Sequence, residues 1–283
     1  MSSKVANAAA MAVDLLSPML VRRLICLGFL LAIALGATPA RAQGGPPLIT
    51  DDPDTPGPGY WEINLSTFLE KHSHSHTLEL PRVDANYGVG RRVQLKLEMP
   101  WVRGGEDGEV RTGAGNMTAG VKYRFLGQEG TLIAWSVYPQ IEFNTTHASV
   151  TKGLVEDGRQ LFLPTELTIE KLHAEINAEV GRRFVQNGED AWEYGVSTEG
   201  HVIPRLELLA ELHGESRAGT RDELIVNVGA RPKLTKQIIL LFAVGRAIHG
   251  PDEEHPHVLL YAGLQFNVPG LYSFKSSKGS RGF

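Results

Sequence analysis

From Tyr60 onward, apolar and polar residues alternate with period two. Trp61, Ile63, Leu65, Thr67 and Leu69 fall on one face, and Glu62, Asn64, Ser66 and Glu70 on the other. Val93, Leu95, Leu97, Met99 and Trp101 alternate with Gln94, Lys96, Glu98 and Pro100 in the same way. So do Met117 to Phe125 and Leu172 to Val180. A helix would mix the acidic and apolar residues on each face, so these segments read as strands. The pattern predicts about twelve strands near residues 60–70, 76–88, 92–102, 115–126, 131–143, 160–170, 172–184, 191–203, 205–215, 222–232, 236–247 and 257–268. Each is close to the length that crosses a bilayer at barrel tilt. Three places are less clean. Thr77 to Val89 changes phase around Pro81, which suggests a bulge. Ile238 to Val244 is apolar on both faces, as if it packs against something inside. Leu161 to Glu170 and Leu172 to Arg183 have enough Leu, Glu and Lys for a helical hairpin, the rival there.

The connections are sorted by length. Those after strands two, four, six, eight and ten are short, around Gly90, Gly127 to Gly130, Glu170-Lys171, Pro204 and Leu234-Thr235. Longer ones span Arg103 to Ala114, Asn144 to Arg159 and His249 to Pro256. Short turns at one end and long loops at the other are the habit of an antiparallel transmembrane β-barrel, all-β, with the short turns in the periplasm. In lipid an open edge would strand rows of backbone donors and acceptors, so His257 to Val268 should close on the first strand.

The chain before the barrel divides in two. Arg22-Arg23, the apolar run Leu24 to Ala37 and Ala40-Arg41-Ala42 form a secretory signal over residues 1–42, with Met19 as an alternative start. A membrane anchor is the rival, but the apolar core is short and Pro39 breaks it. Residues 43–59 are a Gly- and Pro-rich lead-in with turn chemistry at Asp51-Asp52-Pro53-Asp54. The barrel is assigned to 60–268 and a polar tail to 269–283. Cys26, the one cysteine, lies in the signal, so the exported chain has no disulfide, thiolate metal site or cysteine nucleophile. A formal charge of -4 argues against nucleic acid as a partner.

Candidate chemistry lies mainly on the polar strand faces. Glu62, Lys96, Glu98, Lys122, Arg124, Glu142, Glu166, Glu175, Glu179, Glu193, Glu199, Glu207 and Glu211 should face the lumen, because charge on the lipid face is costly. They make either a wet, acid-biased conduit or a lumen filled by ion pairs; twelve strands fall between filled and open barrels. His72, His74 and His76 alternate with serines, and His249, His255 and His257 flank Asp252 to Glu254. Closure would bring these two loops together at the extracellular mouth, where they offer ligands for a divalent metal; a merely solvated loop is the rival. His147 with Ser149, or His213 with Glu215 and Ser216, supplies residue types for hydrolysis without fixing their geometry, and no enzyme is expected. No cofactor is implied. Trp61, Trp101, Trp192 and nearby tyrosines sit near strand ends as a girdle would, whereas Trp135 fits ordinary sheet packing better.

Several segments are familiar. Ile49-Thr50-Asp51-Asp52-Pro53, Pro58 to Asn64, Gly115-Asn116, Gly120 to Phe125, Leu172 to Asn177 and Ala210-Glu211-Leu212 resemble the family named after the meta pathway of phenol degradation. The resemblance spans nearly the whole exported chain. It implies an outer-membrane, transporter-like barrel, and it brings no catalytic residues. The reading is passive transport of small solutes, extending to aromatic or hydrophobic compounds if the family association holds. Outer-membrane lipid and the barrel-assembly machinery are the expected partners. A plugged binding or structural barrel is the alternative, and a soluble periplasmic barrel with an apolar interior is third.

Overall fold

The computed structural model describes residues 45–106, 109–128, 131–171, 174–250 and 255–270. The signal segment, His173, Asp252 to Glu254 and nearly all of the tail lie outside the described residues.

The strands are β1 (Tyr60–Lys71), β2 (Ser75–Val89), β3 (Val93–Glu106), β4 (Glu109–Ala114), β5 (Met117–Leu126), β6 (Ile133–Val137) and β7 (Gln140–Phe143). A short helix, α1 (His147–Thr151), precedes β8 (Arg159–Lys171), β9 (Ala174–Val185), β10 (Ala191–Ile203) and β11 (Leu206–Arg217). β12 (Glu223–Pro232), β13 (Ile238–His249) and β14 (Val258–Pro269) complete the chain. Every pairing is antiparallel, and β1 pairs with β14 from Tyr60↔Pro269 to Lys71↔Val258, so the sheet closes. β6 and β7 both lie between β5 and β8 and share one stave. The break is at Pro139, which has no N–H to give the ladder. β4 pairs only with β3, as a hairpin rising above the rim. Twelve staves remain, so this is a closed twelve-stranded antiparallel barrel.

Two expected long loops are more ordered than their sequence suggests. Arg103 to Ala114 is mostly the β3–β4 hairpin, and Asn144 to Arg159 contains α1, with Thr146 Oγ1 accepting the Ala148 N–H at 3.2 Å as its cap. The two pack together: Lys152 Nζ donates to the Thr112 carbonyl at 2.9 Å, and Arg111 donates to that of Lys152 at 3.0 Å. The helical hairpin proposed for Leu161 to Arg183 is instead β8 and β9, paired in continuous register. The phase change at Pro81 is a bulge between Glu79 and Arg82, opposite Ser66 and Phe68.

The faces are those a bilayer requires. Leu65, Leu97, Met99, Val121, Ile176, Val196, Leu212, Val228 and Phe242 are exposed on the outside, while Asn64, Asp84, Glu166, Asn177, Glu199 and Arg231 are buried within. That order is inverted relative to a soluble barrel and removes that rival. Trp61 stacks on Tyr87 at 4.7 Å and Phe125 on Trp135 at 5.3 Å, both pairs outward near the short-turn end. Trp135 therefore belongs to the girdle, contrary to its expected place in ordinary packing.

Candidate functional site

The inner face of the barrel has three sectors. On β2, β3 and β5 stand Arg82, Lys96, Lys122 and Arg124. Arg82 bonds Glu98 at 2.7 Å and Glu79 at 3.1 Å, and Lys96 lies 3.1 Å from Glu98 and 3.6 Å from Asp84. On β8 to β11 stand Glu166, Glu175, Glu179, Glu193, Glu199, Glu207 and Glu211, all buried. Register sets Glu166 opposite Glu179 and Glu175 opposite Glu199, like charges that a structural sheet would avoid. Among the described residues Glu175 and Glu179 have no hydrogen-bond or ionic partner. The third sector is apolar. Ile225, Ala247 and Leu259 cluster towards the loop end, Ile239, Leu241 and Tyr261 below them, and Phe68 packs against both groups. Ile238 to Val244 is apolar on both faces for this reason: one face meets lipid and the other meets Phe68 and Tyr261.

All thirteen charged residues expected in the lumen stand on inward positions; Glu142 is half-buried and accepts from Asn116 at 2.8 Å. Sequence reasoning missed Arg82, Asp84, Arg231 and Tyr138, which have the same parity as Asn86, Asn227 and Ser136. Extending the alternation one or two steps along those strands would have found them. Tyr138 is fully buried, accepts from Gln94 Nε2 on its hydroxyl at 3.0 Å, and has Lys122 over its ring at 4.6 Å.

The lead-in enters this lumen. It leaves the short-turn end beside Gly88, whose Cβ, if present, would collide with the Gly57 carbonyl. Asp54 Oδ1 meets Arg124 at 2.5 Å, and Asp51 Oδ1 meets Lys122 at 3.0 Å. Lys122 also bonds the Asp52 carbonyl and lies 3.3 Å from Glu166. Farther in, Glu211 accepts the Ile49 N–H at 3.0 Å and the Thr50 N–H, while Asn227 donates to it at 2.6 Å. Thr50 presses on Gly195, where any Cβ would collide with its hydroxyl. The chain then turns back, through a Leu48 N–H to Gly45 carbonyl bond of 3.1 Å, to Arg231. Arg231 donates to the Gly45 and Pro46 carbonyls at 3.0 Å and to Glu199 at 2.5 Å. Residues 45–59 are thus a re-entrant plug whose tip is Thr50. Between its aspartates and the wall formed by Glu62, Asp84 and Lys96, a polar cavity of about 20 Å³ remains, space for one water molecule. Burial would raise the Asp51 carboxyl, but Lys122 and Lys96 hold it below the usual carboxylate range.

The histidines are distributed differently from the expected alternation. β1 ends at Lys71 and β2 begins at Ser75, so His72 and His74 lie in a tight turn closed by a His72 N–H to Ser75 carbonyl bond of 2.9 Å. His72 bonds Glu70 at 2.9 Å, whereas His76 lies over Gly105. The two loops are neighbours, as closure demands: Ser73 meets His257 at 3.3 Å, and the His255 and His257 rings are 5.1 Å apart. His249 ends β13 opposite Leu224. Among the described residues no three His, Asp or Glu side chains are arranged to hold a metal ion. His213 points into the lumen and Ser216, paired with outward Trp192, points out; Ser149 is buried in α1.

The comparisons with known proteins bear on the fold. No family model and no curated protein matches the chain. Among solved structures it is similar to an outer membrane channel from Pseudomonas putida F1, with a TM-score of 0.61 at 12% identity, over 76% of this chain and 98% of that one. It is also similar to the NanC porin (TM-score 0.55, 8% identity) and the KdgM porin (0.52, 9%), each over 72% of this chain and 98% of the other. At such identities the likeness is one of architecture.

Proposed function

We propose that this protein is an outer-membrane channel for passive passage of small solutes, closed at rest by its own lead-in. The observation that carries the reading is the plug: an acidic segment held in a polar lumen by a few ion pairs and hydrogen bonds, with no apolar core of its own. Such a segment can be withdrawn without breaking the barrel, whose staves are paired independently of it, and its bonds to Lys122, Arg124, Glu211 and Arg231 make the closed state the resting one. The short turns face the periplasm, and both ends of the described barrel emerge there. The architecture shared with the channel and the porins supports this reading, and so does the resemblance to the phenol meta-pathway family. Solutes with an apolar or aromatic face would travel along the Phe68–Leu241–Tyr261 sector, with polar groups turned to the charged walls. There is no covalent step and no energy source.

The alternative is a permanently closed binding or structural barrel, favoured by the small space left beside the plug. The two separate in planar bilayers. The refolded residues 43–283 should show rare openings, and a variant lacking residues 45–56 should conduct continuously. A silent deletion variant that still inserts would leave the structural reading. Faster entry of phenol than of glucose into liposomes bearing the deletion variant tests the apolar route; equal entry of both removes it.

A further inference from the structure

The lipid-facing side of the barrel carries its charges in a pattern of its own. Among the described residues, strand parity sends no carboxylate outward, although acids crowd the inner face. At the loop end the outward charges are basic: Lys71, Arg103, Arg159, Arg182 and Arg246. A neutral interface would tolerate either sign there, since the cost of charge falls towards zero near the headgroups. One sign alone points to an anionic surface.

Closure places three of these cations in one arc. Lys71 stands opposite Val258 on β14 and opposite His76 on β2, and His76 stands opposite Gly105 on β3. Arg246 follows Gly245, the partner of Leu259, and is therefore level with Val258. Arg103 is two residues from Gly105 on the same face. From β13 to β3 the arc spans four interstrand steps, about 19 Å at 4.7–4.9 Å each. Arg246, Lys71, His76 and Arg103 are exposed, and their stems can rise towards a headgroup. Directly below them Leu260, Leu69 and Leu78 form an outward apolar row across β14, β1 and β2. Cations above leucines make a site shaped for an amphiphile. On the far side of the barrel Arg182 is already engaged, 3.2 Å from Asp190 and over the Trp192 ring at 5.3 Å.

We propose that the Arg246–Lys71–His76–Arg103 arc binds the phosphate groups of a phosphorylated glycolipid in the leaflet at the loop end, with the acyl chains lying over Leu260, Leu69 and Leu78. The site depends on the membrane reading and not on the channel being open.

The refolded protein, in detergent, is incubated with bis-phosphorylated lipid A, with its dephosphorylated counterpart or with phosphatidylglycerol, and bound lipid is counted by native mass spectrometry. Wild type should retain bis-phosphorylated lipid A in preference to the other two, and raised salt should weaken retention. Lys71→Gln/Arg103→Gln/Arg246→Gln should lower it at least tenfold, while Arg159→Gln leaves it unchanged. Heat-modifiable gel mobility confirms that each variant is folded. Equal retention of the dephosphorylated lipid or of phosphatidylglycerol, or undiminished retention by the folded triple variant, overturns the proposal. Conductance of the same samples reports on the channel reading separately.

Discussion

Thr50 reaches the inner wall where β10 has no side chain, and Gly195 is there because nothing larger leaves room for the plug tip. Gly195→Leu should therefore expel the tip without disturbing the outward face of β10. The expected outcome is a barrel of unchanged heat-modifiability whose openings in planar bilayers become longer and more frequent; unaltered gating would show that Thr50 does not seat there. Lys122 is the other residue on which the closed state turns. It is buried among Asp51, Glu166 and the Asp52 carbonyl, and removing one member of such a group leaves the others uncompensated. Lys122→Met should cost about 3–5 kcal/mol, read as a lower urea midpoint for unfolding. Both roles were only half legible. Alternation along β5 places Lys122 inside, but its partners Asp51 and Glu166 are brought to it by closure of the whole ring. The glycine at 195 has no meaning until Thr50 is known to lie against it.

At the scale of elements, the plug behaves as a ligand of the barrel. Its carboxylates at Asp51 and Asp54 occupy Lys122 and Arg124, 71 and 70 residues away in sequence. Hydrogen bonds to charged groups contribute about 1.5–3 kcal/mol each, so Asp51→Asn/Asp54→Asn should raise the open fraction by at least about tenfold. Single-channel dwell times check this, and an unchanged closed dwell would place the latch elsewhere, at Glu211 or Arg231. Acid has the same sign. Because the docked Asp51 carboxyl is depressed, its contribution is complete above its ordinary value of 3.8 and is lost only as pH falls through the lower docked value. This contact therefore holds the plug through neutral and mildly acid conditions and releases it in strong acid. The staves themselves were readable from period-two alternation to within about two residues, except that β3 runs on four residues past its expected end to Glu106. The hairpin β3–β4, the helix α1 and the entry of the lead-in were not. Their order comes from contacts between segments distant in sequence, such as Lys152 with Thr112, and local propensity is silent on these.

For the whole molecule, the three-sector lumen determines what an opened channel would select. The inner wall carries more carboxylates than cations, and the basic sector is largely compensated from within: Arg82 by Glu98 and Glu79, Lys96 by Asp84 and Glu98. Across from it, Glu175 and Glu179 face the lumen without an ion pair among the described residues, on inward positions of β9 to either side of Asn177 and beside further acids on β8 and β10. Once the plug is gone and water fills the lumen, carboxylates ionised along a narrow wall set up a field that concentrates ions of the opposite sign. A plug-deleted barrel should therefore prefer cations, and Glu175→Gln/Glu179→Gln in that background should shift the reversal potential in a tenfold KCl gradient towards zero. The same change relieves the cross-strand pairs Glu166/Glu179 and Glu175/Glu199, so it should also make the barrel harder to unfold. Selectivity and stability then move in opposite directions. A fall in stability on neutralising the two glutamates would mean that they hold bound cations or unseen partners, and the acid arc would be a structural feature of the wall. A rise in stability with loss of selectivity would mark it as strain kept for passage.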